Sequence, residues 1–202
     1  MEAFGSFFVV LVYAITGEPL AVGLTLMAFV YVGERISGAH FNPAVSLAFF
    51  LKGRLTFGQF SGYALSQLLG GFLAAVAYYF LAEMAFYVEP PETTNVYQQA
   101  FAEAFFALVF VLVMLVFSFT NTHRKSKLSG VVIGLTFAGM LMVASPISEG
   151  VLNPAISVGP ALVDLLQNGN SLVHVPLYTV APLAGGAIAA LLFNWFHAEW
   201  EA

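Results

Sequence analysis

The sequence predicts an all-α membrane protein of six transmembrane helices and two half-length helices, arranged as an inverted repeat. Three observations predict it. The chain has 202 residues, 60% of them hydrophobic and 8% charged, with a mean hydropathy of +0.88; a soluble domain carries about a quarter charged residues. Its apolar runs are long enough to be read as membrane spans. A short motif, Asn-Pro-Ala followed by an apolar residue and Ser, occurs twice, at 42–46 and at 153–157.

The first span is placed at 3–16 and closes in the turn Thr16-Gly17-Glu18-Pro19, where Gly and Pro act as punctuation. The second runs over 20–36. The first motif copy follows, within Ser37-Gly38-Ala39-His40-Phe41-Asn42-Pro43-Ala44-Val45-Ser46. Asn is a favoured N-cap and Pro fits the first helical position, so Asn42-Pro43-Ala44 starts a helix. The apolar stretch after it, 45–51, is broken by Lys52-Gly53-Arg54. A helix of about ten residues rising 1.5 Å each is too short to cross a bilayer. The third span is placed at 57–82, and the polar loop Glu89-Pro90-Pro91-Glu92-Thr93-Thr94-Asn95 marks the middle of the chain. The fourth span covers 97–119, a basic loop 121–127, and the fifth span 129–147. The second copy reads Ser148-Glu149-Gly150-Val151-Leu152-Asn153-Pro154-Ala155-Ile156-Ser157. Its half-helix, 156–166, is apolar apart from Asp164 and ends at 167–170; the sixth span is placed at 174–197. Met1-Glu2-Ala3-Phe4 lacks the basic region of a cleavable signal peptide.

The two halves, 1–88 and 96–202 of a single channel domain, match in detail. Glu2-Ala3-Phe4 answers Glu103-Ala104-Phe105, and Gly70-Gly71 answers Gly185-Gly186. Three spans per half is an odd number, so the halves cross in opposite directions, which places a pathway at the repeat interface. Arg35, Lys52, Arg54, Arg124, Lys125 and Lys127 all fall on one side, which the positive-inside rule makes cytoplasmic, with both termini. Glu83, Glu89, Glu92 and Glu149 then lie outside. Glycines at 5, 23, 62, 70, 71, 134, 139, 185 and 186 suit close helix packing in lipid. A net charge of -5 without a basic face argues against nucleic acid. Cys is absent, which excludes disulfide and thiolate chemistry; no cofactor or metal is implied.

Non-helical backbone at membrane depth must line a cavity or be buried in protein. Two half-helices entering from opposite faces bring their positive N-termini together near the midplane. There the amides of Asn42 and Asn153 can donate to a passing oxygen. The carbonyls of Gly38, Ala39, His40 and Phe41, and of Glu149, Gly150, Val151 and Leu152, can form a ladder of acceptors. Donors at the centre with acceptors along the approach suit a small neutral solute such as water, and the positive centre repels cations and protons.

This duplicated motif in an inverted repeat resembles the aquaporin and glycerol-channel family, the major intrinsic proteins, over nearly the whole chain. The residues that carry the resemblance are 37–45, Glu2, Glu103 and 182–186. The resemblance implies a passive plasma-membrane channel for water or small uncharged solutes, surrounded by lipid and assembled as a homotetramer with one pore per subunit. It implies that Glu2 and Glu103 accept hydrogen bonds from the half-helix loops, although the terminal position of Glu2 allows it to sit in water. It also places the selectivity constriction at Val22, Leu141, Gly150 and Ile156. The family pattern has Arg after the second motif; here Ile156 stands there, so the ring is apolar and uncharged and is expected to be wider and drier, with broadened selectivity; the alternatives are that the apolar ring dewets and closes the pore or that Leu141 fills the space. Ser157, Ala161 and Tyr178 lean toward water channels, while Thr179 fits neither subtype.

Two other classes compete. A secondary transporter with broken helices would need a coupling acid or base beside the motifs, and the residues next to Asn42 and Asn153 in sequence supply none. An intramembrane enzyme would need a nucleophile with a base or a metal cluster; His40 lies close in sequence to Ser37 and Ser46, with no third group. His40 either lines the pore or packs on its own loop. His174, His197, Trp195 and Trp200 suit the membrane interface. His123 is either solvated or a pH-sensing group. Glu149 has either a structural role or an attraction for cations at the outer mouth.

Overall fold

A computed structural model describes residues 1–120 and 126–198. His123, Arg124, Lys125 and Trp200, and the side chain of His197, lie outside the described residues. The helices in order are α1 (Glu2–Thr16), α2 (Pro19–Ser37), α3 (Pro43–Leu51), α4 (Phe57–Ala82), α5 (Val96–Phe119), α6 (Ser129–Ser148), α7 (Pro154–Leu166) and α8 (Val175–Ala198), with a 3-10 turn at Ser171–His174 before α8. The boundaries fall within two residues of those expected from sequence, because the ends carry their own stop and start signals. Gly17 and Gly38 close α1 and α2 in the left-handed conformation, at φ 61° and 84°. Thr56 with Gln59, and Asn95 with Gln98, form capping boxes that start α4 and α5.

Among the described residues five helices, α2, α4, α5, α6 and the stretch Ser171–Phe196, are long and apolar enough to cross a membrane. The first span is shorter: α1 has 15 residues, or about 22 Å at 1.5 Å per residue. The half-helices α3 and α7 have 9 and 13 residues.

The packing repeats between the two halves. α1 lies on α4 as α5 lies on α8, and each half-helix packs on the long helix of the other half, α7 on α4 and α3 on α8. Of the glycines anticipated as packing residues, Gly62 and Gly139 have open space where a Cβ would stand, and the others show how closely the helices approach. A Cβ on Gly70 would fall 2.3 Å from the Ala3 carbonyl oxygen, and one on Gly185 would fall 2.2 Å from that of Ala104. Gly71 sits in the same way on Ala155, at 2.2 Å, and Gly186 on Ala44, at 2.5 Å. Between the halves α2 crosses α6 at Gly23 and Gly134, each of whose Cβ positions would lie 2.5 Å from the other's carbonyl oxygen. No Cα of α2 or α6 approaches within 8 Å of one in α3 or α7. The α2–α6 pair is thus set apart from the half-helices, and its Leu26 and Phe137 border one space together with Phe41, Asn42 and Asn153 of the motif loops.

Candidate pore at the paired Asn-Pro-Ala loops

Each loop is held in shape by a buried carboxylate. Glu103, fully buried in α5, accepts from the backbone N–H of Val151 at 2.9 Å and of Leu152 at 2.7 Å, and from the Ser148 hydroxyl at 2.8 Å. Glu2 does the same for the first loop. It accepts from His40 N–H at 3.1 Å, Phe41 N–H at 2.7 Å, the Ser37 hydroxyl at 2.5 Å and the Gln67 amide at 2.6 Å. Glu2 is 4% exposed, so these four donors take the place of the water that its terminal position made available.

The backbone they hold is unusual and duplicated. Gly38, Ala39 and Phe41 have φ of 84°, 55° and 50°; Glu149, Gly150 and Leu152 have 71°, 67° and 54°. Four of these six are not glycine. Left-handed backbone costs an ordinary residue about 1–3 kcal/mol, and consecutive N–H donors aimed at one carboxylate offset it, each charge-assisted bond contributing about 1.5–3 kcal/mol. Tyr63 on α4 donates to the Ser37 carbonyl at 2.7 Å, and Tyr178 on α8 to the Ser148 carbonyl at 2.9 Å.

The loops then meet. The Asn42 side-chain oxygen caps α3 by accepting from Ala44 N–H, and that of Asn153 caps α7 through Ala155 N–H. The Asn42 Nδ2 donates to the Leu152 carbonyl at 2.9 Å, and the Asn153 Nδ2 to the Phe41 carbonyl at 3.0 Å. Each amide thus spends one N–H on the opposite loop and keeps a second. Both Asn residues border one narrow space of about 170 Å³, together with His40, Phe41, Val9, Leu26, Phe110 and Phe137.

Part of the expected acceptor ladder already has a protein donor. The Phe41 and Leu152 carbonyls accept from the Asn amides, and the Tyr13 hydroxyl reaches those of Glu149 at 3.0 Å and Gly150 at 3.4 Å; each such carbonyl keeps a second lone pair. Among the described residues no hydrogen bond reaches the carbonyls of Gly38, Ala39, His40 or Val151. His40 packs on α3 while it also borders the space at the two Asn residues: its Nδ1 lies 3.1 Å from the Ser46 hydroxyl and its ring centroid 4.0 Å from that of Phe49.

The four expected constriction residues are all buried, with Val22 and Ile156 at 0% and Leu141 at 1% exposure. A Cβ on Gly150 would fall 2.6 Å from the Leu141 carbonyl oxygen, so those two touch. Ile156 on α7 has no Cα neighbour within 8 Å in α2 or α6. All four residues are uncharged, so the place where the family pattern has Arg carries no fixed donor.

The remaining candidates sit apart. Ser157 donates to the Pro154 carbonyl, Ala161 is buried, and the Thr179 hydroxyl is buried without a partner among the described residues. Glu149 has an exposed side chain. His174 lies 3.7 Å from Glu89 at the end opposite Lys52, and Trp195 is exposed near the end of α8. Among the described residues no group of three His, Cys, Asp or Glu is placed to hold a metal ion. Tyr13, Tyr63, Gln67, Phe110 and Phe137 were not singled out from sequence. Tyr63 and Tyr178 hold the same place relative to Gly70 and Gly185, which is the signal that reveals them.

Comparison with known proteins agrees with this architecture. The family model for the major intrinsic protein matches residues 5–193. The chain is 34% identical over 176 residues to glycerol uptake facilitator protein-like 6 of Lactiplantibacillus plantarum, covering 85% of this chain and 80% of that one. It is 31% identical over 196 residues to aquaporin Z of Bradyrhizobium diazoefficiens, covering 92% and 80%. Against aquaporin NIP1-1 of Zea mays the identity is 34% over 182 residues, 88% of this chain and 62% of the relative. The X-ray structure of the aquaglyceroporin from Plasmodium falciparum shares the fold, with a TM-score of 0.80 at 22% identity over 97% of this chain and 92% of that one. The chain is a membrane protein that belongs to the major intrinsic protein family.

Proposed function

We propose that this chain is a passive channel for water and small uncharged solutes, with the pathway running past Asn42 and Asn153. The observation that carries the reading is the pair of crossed bonds, Asn42 to the Leu152 carbonyl and Asn153 to the Phe41 carbonyl. They leave two N–H donors beside one space, at the positive ends of two helices. A neutral solute that accepts one hydrogen bond and donates another fits such a site, and a cation does not. The carbonyls of Gly38, Ala39, His40 and Val151 are the acceptors in its path, and Val22, Leu141, Gly150 and Ile156 are an apolar outer constriction. The relatives named as glycerol facilitators and aquaporins support the solute class.

Glu2 and Glu103 support the loops and are poor candidates for ion coupling, since each already accepts three or more hydrogen bonds. The repeats are 1–88 and 96–202, inverted within one domain. The channel lies in the plasma membrane with both termini cytoplasmic, as a homotetramer with a pore in each subunit. The one-sided Lys and Arg distribution supports the orientation.

Stopped-flow light scattering on proteoliposomes, with osmotic shocks by an impermeant sugar, glycerol and urea in turn, tests the proposal. Water efflux faster than from empty liposomes, and no solute accumulation under a proton or sodium gradient, is expected. Gradient-driven accumulation would contradict it.

A further inference from the structure

The narrow space at the two Asn residues is not equally walled by the two halves. Counting from Glu2 and Glu103, Val9 on α1 holds the place that Phe110 holds on α5. Counting from Gly23 and Gly134, Leu26 on α2 holds the place that Phe137 holds on α6. All four border the same space as Asn42 and Asn153. The first half contributes two aliphatic walls and the second two aromatic ones. Phe110 and Phe137 pack together, with ring centroids 4.7 Å apart and planes tilted by 46°, and they are 2% and 1% exposed. The space they bound is about 170 Å³ in all.

We propose that the Phe110–Phe137 pair is a size-determining constriction of this channel at the level of the Asn amides, separate from the outer ring at Ile156. The inference rests on the channel reading. Its physical basis is that two packed rings stand where the first half has the smaller Val9 and Leu26, so a solute of larger cross-section passes the Asn donors only when the rings turn aside. Hydrogen-bonded partners are present there, in the second N–H of each Asn, but width is not. A thin solute needs a small displacement and a three-carbon polyol a larger one. The pair therefore discriminates by cross-section, whereas Ile156 governs which polar contacts a solute loses on entry.

The test compares the ratio of glycerol to water permeability in proteoliposomes carrying equal amounts of protein. The variants are the double variant Phe110→Leu with Phe137→Leu, Leu26→Phe and Ile156→Ala. The double variant is expected to raise the ratio several-fold, and Leu26→Phe, which adds a third ring, to slow water itself. A wild type no faster than empty liposomes beside a fast double variant would also support the pair as the closure. An unchanged ratio in a well-folded double variant would overturn the proposal, and a shift in Ile156→Ala alone would assign size selection to the outer ring. Should the double variant fail to fold, unchanged water permeability in Leu26→Phe overturns it. If wild type and every folded variant match empty liposomes, the channel reading fails and this proposal with it.

Discussion

The loop before α3 and the loop before α7 have nearly the same backbone and different side chains, and the difference shows what fixes a pore and what tunes it. In both, one carboxylate takes two consecutive N–H groups and a Ser hydroxyl, and a Tyr hydroxyl closes the preceding carbonyl. Around that common frame the first loop is polar. His40, Ser46 and Gln67 join the Glu2 network, the Gln67 amide donating to both Glu2 and Ser46. The corresponding places in the second half are Val151, Ser157 and Pro182, and Ser157 bonds only within its own helix. The second loop instead leans on Tyr13, whose counterpart in α5, Met114, has no hydroxyl to offer the first loop. Among the described residues the carbonyls of Gly38 and Ala39 have no hydrogen-bond partner. The carboxylates dictate the strained backbone, and the side chains beside them are free to set the polarity of each half of the passage.

Removing a carboxylate is the most severe way to break the comparison. Gln in place of Glu103 keeps one acceptor oxygen and brings two donors. The Val151 and Leu152 N–H groups then compete for that oxygen, and the charge assistance is lost. The expected cost is about 3 kcal/mol or more, a fall of roughly 10 °C in the unfolding midpoint in detergent. Glu2→Gln should cost less, because two of its four donors are side chains, Ser37 and Gln67, that can turn to other partners. Equal midpoints for both variants and wild type, by thermal-shift fluorescence, would show that the carboxylates do not hold the loops.

The glycines that seat each half-helix on the other half come next. Gly71→Ala places a methyl 2.2 Å from the Ala155 carbonyl oxygen, and Gly186→Ala places one 2.5 Å from that of Ala44. Neither backbone can yield as a side chain would. Overpacking of this kind costs about 1–3 kcal/mol, with Gly71→Ala expected to be the worse of the two. Unfolding midpoints of the two variants measured side by side check the order, and the reverse order would mean that the seats are not equivalent.

The smallest effect belongs to Tyr13→Phe. It removes one hydroxyl and leaves the Glu149 and Gly150 carbonyls as unpartnered as those of Gly38 and Ala39 already are. About 1 kcal/mol or less is expected, with water permeability retained. A loss of folded protein as large as that of Glu103→Gln would show that the second loop depends on Tyr13 as well as on its carboxylate.

How much of this was legible beforehand follows the same division. The helices, their ends and the two motif loops could be read because caps, turn residues and apolar runs are local signals, and the duplication of Asn42 and Asn153 gave the register between halves. Glu2 was harder, since nothing in its own neighbourhood reveals that Ser37, His40, Phe41 and Gln67 converge on it. Phe110 and Phe137 were invisible. Lipid tails are as apolar as a protein core, so an aromatic residue that borders an internal space reads the same as one facing lipid. At Ile156 the sequence shows the missing charge directly, because a side chain's charge is local, whereas the width of a ring drawn from α2, α6 and α7 depends on packing between distant segments.

The central claim is that the two loops form one unit, locked across the middle of the protein by the crossed Asn bonds. A double-mutant cycle on Asn42→Ser and Asn153→Ser tests it most directly. Ser remains a good N-cap but has no amide to reach the opposite carbonyl, so each variant removes one crossing bond and spares the helix start. If the loops are one unit, loss of the first bond loosens the second. The double variant should then be less destabilised than the sum of the singles, by about 0.5 kcal/mol or more. Destabilisations that add, within about 0.3–0.5 kcal/mol, would mean that the loops stand independently and contradict the account.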